Sequence, residues 1–156
     1  MNFQKSRSGF TFVELIIVIS LIGTISLILL TIINPLNRLY HSWDARRKMD
    51  LTRLTIELEE WYGDKNCYPT KEKICYRSDS KGCYICGYAD ESKKLANNSK
   101  LPCDPQHAGK DYLYVYEDSD CPSWYKIYAM MSYPNNAYKY SYGVSSPNTS
   151  IEPYPL

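Results

Sequence analysis

The residues of this chain best suited to chemistry are its six cysteines, Cys67, Cys75, Cys83, Cys86, Cys103 and Cys121. Thiolates at Cys83 and Cys86, joined by Cys103 and Cys121, match the ligand type of a tetrahedral zinc site. The second pair lacks the spacing of a zinc ribbon or knuckle. A redox role for Cys83-x-x-Cys86 needs a strand-then-helix setting that the surrounding residues do not provide. An even cysteine count in a polar region suits disulfides formed in an oxidising compartment. Six cysteines admit fifteen pairings, and the sequence does not choose among them. His41 and His107 are the only histidines; neither has a cysteine or acid at catalytic spacing. No nucleophile elbow, phosphate loop or metalloprotease motif occurs. The chain is therefore not expected to be an enzyme or to hold a cofactor.

A second unusual residue lies near the N-terminus. Residues 1–9 are polar and carry Lys5 and Arg7, whereas residues 10–33 are apolar with a single charge, Glu14. As a helix that run spans about 36 Å, enough to cross a hydrocarbon core of about 30 Å, with the basic residues marking its cytoplasmic end. A secretory signal would have a shorter apolar core, roughly 7–15 residues, followed by a small-residue cleavage site. No cysteine precedes Cys67, which argues against lipoprotein export. A carboxylate inside lipid is costly and calls for a partner. Cleavage between Gly9 and Phe10 would create such a partner, an α-amino group able to pair with Glu14 of a neighbouring copy.

The run Gly9-Phe10-Thr11-Phe12-Val13-Glu14-Leu15 resembles the class III signal of type IV pilins and type II secretion pseudopilins. The resemblance implies cleavage after Gly9 by a prepilin peptidase, with the 1–9 leader discarded on the cytoplasmic side. It further implies N-methylation of Phe10 and polymerisation by an assembly platform and its ATPase, with Glu14 setting the register between subunits. Residues 44–51 resemble the region of major pseudopilins just beyond the membrane half. Some major pseudopilins hold calcium between their last strands. Asp118 and Asp120 are the candidates here, but the loop is short of acids, and Cys121-Pro122 suggests that a disulfide fixes it instead.

The elements that must carry these residues follow from periodicity. Asn34-Pro35 interrupts the helical pattern, predicting a kink or a fresh start at Pro35. Leu36, Tyr40, Trp43, Leu51, Leu54, Leu58 and Trp61 then recur at three- and four-residue spacings, with Arg47 in the gap. This predicts an amphipathic helix over 34–62, ended by Gly63. Asp44 with Lys48, and Asp50 with Arg53, read as pairs on its wet face. Residues 63–111 read as a cysteine-rich loop region. Aromatic runs at 112–116, 124–131 and 138–144 predict three antiparallel strands, the last with Tyr138, Tyr140 and Tyr142 on one face. The expectation is an α+β fold: a long N-terminal helix, its membrane or filament-core half at 10–33, packed on a small three-stranded sheet. The globular head covers 63–144, and a loose tail covers 145–156.

Eighteen basic residues against 17 acidic ones leave a net charge of +1, too little for a dedicated nucleic-acid binder. Sixteen tyrosines with only three phenylalanines suit a small exported domain whose rings both pack and face water. Two classes remain. One is a structural filament subunit, a single-pass protein of the cytoplasmic membrane before assembly, then part of a pilus or pseudopilus with its head extracytoplasmic. The other is a membrane-anchored module or minor pilin whose tyrosine-rich head recognises a glycan, DNA or a surface. A simple tether requires neither Gly9 nor Glu14.

Overall fold

In the computed structural model, residues 9–80, 82–87, 95, 100–106, 109–132 and 139–152 are described. The chain divides into two units, residues 1–38 and 39–156.

The first unit contains helix α1, Phe12–Ile33, in which no residue is buried. It is the one helix among the described residues long and apolar enough to cross a membrane. Its polar side chains are silenced locally. The hydroxyls of Ser20, Thr24, Ser26 and Thr31 donate to the carbonyls of Ile16, Leu21, Ile22 and Ile28 at 2.7–2.9 Å. Such back-bonding satisfies each hydroxyl donor within the helix itself. Asn34 ends α1 in the left-handed conformation, with φ 44° and ψ 72°. Helix α2, Pro35–Lys65, starts at the very next residue. Proline fits there because the first helical N–H has no intrahelical partner, and the Asn34 carbonyl accepts from Asn37 N at 3.1 Å.

In the second unit, α2 buries Leu51, Leu54 and Leu58 completely. The helix runs through Gly63 rather than stopping there, and the left-handed residue after it is Asn66, at φ 56°. Asparagine tolerates that conformation better than other residues with a side chain beyond Cβ.

Among the described residues the sheet has five strands, not three: β1 Arg77–Asp79, β2 Gly82–Ile85, β3 Tyr112–Tyr116, β4 Tyr125–Met131 and β5 Lys139–Ser145. All neighbours are antiparallel and lie in chain order. The fold is thus α+β, with the cysteine-rich stretch contributing two strands and a short helix α3, Lys71–Ile74. Neither extra strand carries an alternating pattern. β1 is an exposed edge of three polar residues, and Cys83, Tyr84 and Ile85 in β2 are all buried because both faces are covered.

One sheet face packs Tyr112, Tyr114, Tyr125, Ile127 and Ala129 against the α2 leucines. The other gathers Tyr84, Leu113, Tyr128 and Tyr140. Between β4 and β5 the register slips: Ala129 faces Tyr142, but Met130 faces Tyr140. Ser141 is the extra residue of this bulge, so Tyr140 and Tyr142 fall on opposite faces rather than on one. Gly143 sits opposite Tyr128, where a Cβ would come within 2.8 Å of the ring.

Candidate functional site

The N-terminal motif sits at the mouth of α1. Phe10 is 85% exposed, and Gly9 has open space around it. Thr11 is the N-cap. Its hydroxyl accepts from Glu14 N at 3.2 Å, and the Glu14 carboxylate accepts from Thr11 N at 3.0 Å and from its hydroxyl at 2.9 Å. This reciprocal capping box satisfies helix-end donors that have no carbonyl four residues back. Glu14 thus has a partner within its own chain, Thr11. The sequence signal of this box is Thr-x-x-Glu ahead of an apolar run, Thr11 to Glu14. A carboxylate held at a helix N-terminus is also favoured by the helix dipole, and it lies four residues from the amine that cleavage at Gly9 would release.

In the second unit all six cysteines are paired: Cys67 with Cys121, Cys75 with Cys83 and Cys86 with Cys103. Cys83 and Cys86 therefore do not share a site, and no thiolate set is left for zinc. The first bridge ties the end of α2 to the β3–β4 loop, where Tyr68 N also donates to the Pro122 carbonyl at 2.9 Å. The third ties β2 to the segment before Asp104. Gly87 makes that approach possible, since a Cβ there would lie 2.5 Å from the Leu101 carbonyl oxygen.

Asp104 leads to a buried polar centre. Arg47, fully buried on α2, donates to Asp104 through Nε at 2.5 Å and Nη2 at 3.0 Å. Its Nη1 donates to Asp44 at 2.6 Å, and Nη2 also donates to Gln106 at 3.0 Å. Asp44 in turn accepts from the Ser132 amide and hydroxyl. Burial disfavours the guanidinium charge, but the bonds and charges of Asp104 and Asp44 outweigh it and hold the Arg47 pKa above its ordinary value. The wet-face pairs expected on this helix do not form as read. Asp44 is buried with Arg47; Asp50 accepts from the Tyr112 hydroxyl at 2.7 Å; Arg53 pairs with Glu57 at 2.8 Å. A residue in the gap of an apolar stripe is the signal that Arg47 gave.

Several tyrosine hydroxyls of this unit find acids or carbonyls. Tyr68 donates to Glu59 at 3.0 Å, Tyr84 to Asp79 at 2.9 Å, Tyr114 to the Pro69 carbonyl at 3.0 Å and Tyr76 to Asp111. Burial, reinforced by the Asp111 bond, pushes Tyr76 up to about 12. Burial also raises Tyr68, Tyr112, Tyr114, Tyr125 and Tyr140. These rings pack in the clusters on the two faces of the sheet. Tyr138 and His107 lie outside the described residues, and His41 is exposed on α2.

Asp118 and Asp120 are exposed in the β3–β4 loop. Among the described residues, no three His, Cys, Asp or Glu side chains are grouped to hold a metal ion.

A search of curated proteins and one of solved structures found no match. Among protein families, the prokaryotic N-terminal methylation motif matches residues 4–30. That match covers the Gly9–Glu14 motif and most of α1, so the chain carries the class III signal that is the hallmark of type IV pilins and pseudopilins.

Proposed function

We propose that this protein is a structural subunit of a type IV pilus or a type II secretion-like pseudopilus. It is made as a membrane-inserted prepilin, cleaved after Gly9, N-methylated at Phe10 and polymerised through its N-terminal helix. The observation that carries this reading is the methylation motif at residues 4–30, placed at the start of a helix whose apolar side chains are all uncovered. A 22-residue helix is about 33 Å long, which matches the hydrocarbon thickness before assembly. After assembly, the same surface is covered by the helices of other subunits. In that core the Glu14 carboxylate keeps its Thr11 bonds and gains the methylated amine of a neighbour, which neutralises both charges where lipid or helix would otherwise enclose them. Pro35, following the left-handed Asn34, is the point at which the helix bends or opens during extraction from the membrane.

The domain beyond residue 39 lies on the extracytoplasmic side, where its three disulfides survive. Its role is to coat the filament. The chemistry of the motif is done on this chain by the peptidase, and the reading assigns the chain itself no catalysis.

The test is coexpression with a prepilin peptidase, followed by intact-mass and N-terminal analysis of wild type and Gly9→Leu. Wild type should begin at methylated Phe10, and the variant should keep its leader. Retention of Met1 in both would refute the processing step. With the assembly platform and ATPase added, shearing of intact cells separates a surface pilus, which is released, from an envelope-confined pseudopilus.

A further inference from the structure

The apolar stripe of α2 is longer than the surface that covers it. Leu51, Leu54 and Leu58 are completely buried in the core beneath the sheet, and Asp44 and Arg47 are buried as well. One turn earlier the cover gives out. Tyr40 and Trp43 are only half-buried, Leu39 is 43% exposed and Leu36 is 65% exposed. These four residues recur at the three- and four-residue spacings of one helix face. The first two turns of α2 therefore carry an apolar face that the described residues leave partly open.

The two rings on this face suit a particular solvent. Tyr40 and Trp43 meet edge to face, with ring centroids 5.5 Å apart. Among the described residues, neither the Tyr40 hydroxyl nor the Trp43 indole N–H has a hydrogen-bond partner in the protein. The core tyrosines differ: Tyr68, Tyr84, Tyr112 and Tyr114 each donate to a protein acceptor. A large ring with an unused polar tip is the kind of side chain that collects at a membrane–water interface, its body among the upper acyl chains and its tip among headgroups. Chain length brings the face within reach of that layer. Six residues part Ile33, the last of α1, from Leu39, about 9 Å at helical rise whatever the angle between the helices. Headgroups add roughly 5–8 Å to each side of a hydrocarbon core, and helix side chains lean back toward the N-terminus, here the end of α2 that joins α1.

We propose that the Leu36–Trp43 face of α2 lies in the interfacial layer of the membrane before assembly. Its partner is lipid: acyl chains against Leu36 and Leu39, headgroups and water against the tips of Tyr40 and Trp43. This goes beyond the filament reading and rests on its membrane-inserted precursor. A second copy of the chain is the rival occupant. It would bury the two polar tips and so have to supply an acceptor for each, at a matching position. Headgroup oxygens and water supply acceptors wherever the rings settle. Extraction into a filament then has to free this face from the interface as well as α1 from the hydrocarbon.

The experiment uses the full-length, uncleaved chain in vesicles of phosphatidylcholine and phosphatidylglycerol, with nitroxide quenchers carried on the lipid either just below the headgroup or near the bilayer centre. Trp61→Phe with Trp124→Phe leaves Trp43 as reporter, and Trp43→Phe with Trp124→Phe leaves Trp61 as control. The shallow quencher should quench Trp43 at least about threefold more than Trp61, and more than the deep quencher does. Leu36→Asp with Leu39→Asp, two exposed positions, should bring Trp43 down to the level of Trp61 while the urea midpoint of the domain stays unchanged. Equal quenching of Trp43 and Trp61 overturns the proposal. So does a Trp43 that escapes the quenchers only at high protein-to-lipid ratio and stands off the membrane when dilute, which gives the face to a second copy. Leu27→Trp, with all three native tryptophans changed to Phe, separates the two possible failures. Quenched by the deep nitroxide, it leaves the membrane-inserted precursor standing whatever Trp43 shows; untouched by either quencher, it overturns that reading and the interfacial face with it.

Discussion

Helix α1 and the sheet domain solve opposite problems. None of the residues of α1 is buried; backbone bonds and a capping box hold it, and its hydroxyls are satisfied by turning back on the helix. The sheet domain buries tyrosines, an arginine and several acids, and closes its loops with three disulfides. On the proposed filament-subunit reading, the difference reflects two solvents. Lipid does not reward burial of apolar groups but strongly penalises an unsatisfied polar one. Water rewards burial, yet a domain of this size with few aliphatic residues gains only a thin core from it, so cross-links and satisfied polar contacts make up the rest.

The comparison can be broken most severely by reduction. Each opened disulfide should cost about 2–4 kcal/mol, and the Cys67–Cys121 loop, the longest, should cost most. Full reduction should abolish cooperative melting of the domain while leaving the helicity of α1 in detergent micelles unchanged. Circular dichroism of the two segments measures this. Loss of α1 helicity on reduction would show that the two regions are not independent.

Next in size is Arg47→Met. It leaves Asp44 and Asp104 buried without their cation, and should lower stability by about 3–5 kcal/mol in urea titration. Adding Asp44→Asn and Asp104→Asn should recover part of that loss. A single variant as stable as wild type would mean that the guanidinium is not what holds this end of α2 to the domain.

Alkaline pH should separate the regions more gently. An unfolded tyrosine ionises near pH 10, whereas Tyr76 is raised to about 12 and five others are raised as well. The folded state thus holds protons that the unfolded state releases. The stability these groups lend is fully present below about pH 10 and declines as pH climbs through 10 toward 12. The urea midpoint should fall across that window, with tyrosinate absorbance rising only as the domain unfolds. Ionisation that precedes unfolding would place these hydroxyls in water. The α1 segment has no tyrosine and should not respond.

The smallest effect is expected from Thr11→Ala. It removes the hydroxyl from the capping box and should fray the first turn of α1, visible as faster amide exchange at Glu14 and Leu15 in micelles. The sheet domain should be unaffected.

The sequence by itself determined the segment from Gly9 to Pro35, because a long apolar helix exposed along its whole length follows from composition alone. Twenty-odd apolar residues, one acid, a glycine before the aromatic and a proline after the asparagine are all local features. The leucine stripe of α2 and strand β3 were legible for the same reason, since their periodicity repeats within one element. Tertiary structure decided what depends on distant partners. The cysteine pairing could not be read, because it depends on which loops meet. Short β1 and β2 gave no alternation, since one is an exposed edge and the other is covered on both faces. The Ser141 bulge reversed the expected side of Tyr142, because a period of two survives only while the register holds. Asp44 read as a solvated helix charge and Arg47 as a gap in the apolar stripe, and only Asp104 and Ser132, far along the chain, bury the pair. A charge on a helix declares its spacing in the sequence, but its solvent is set by whatever the fold lays over it.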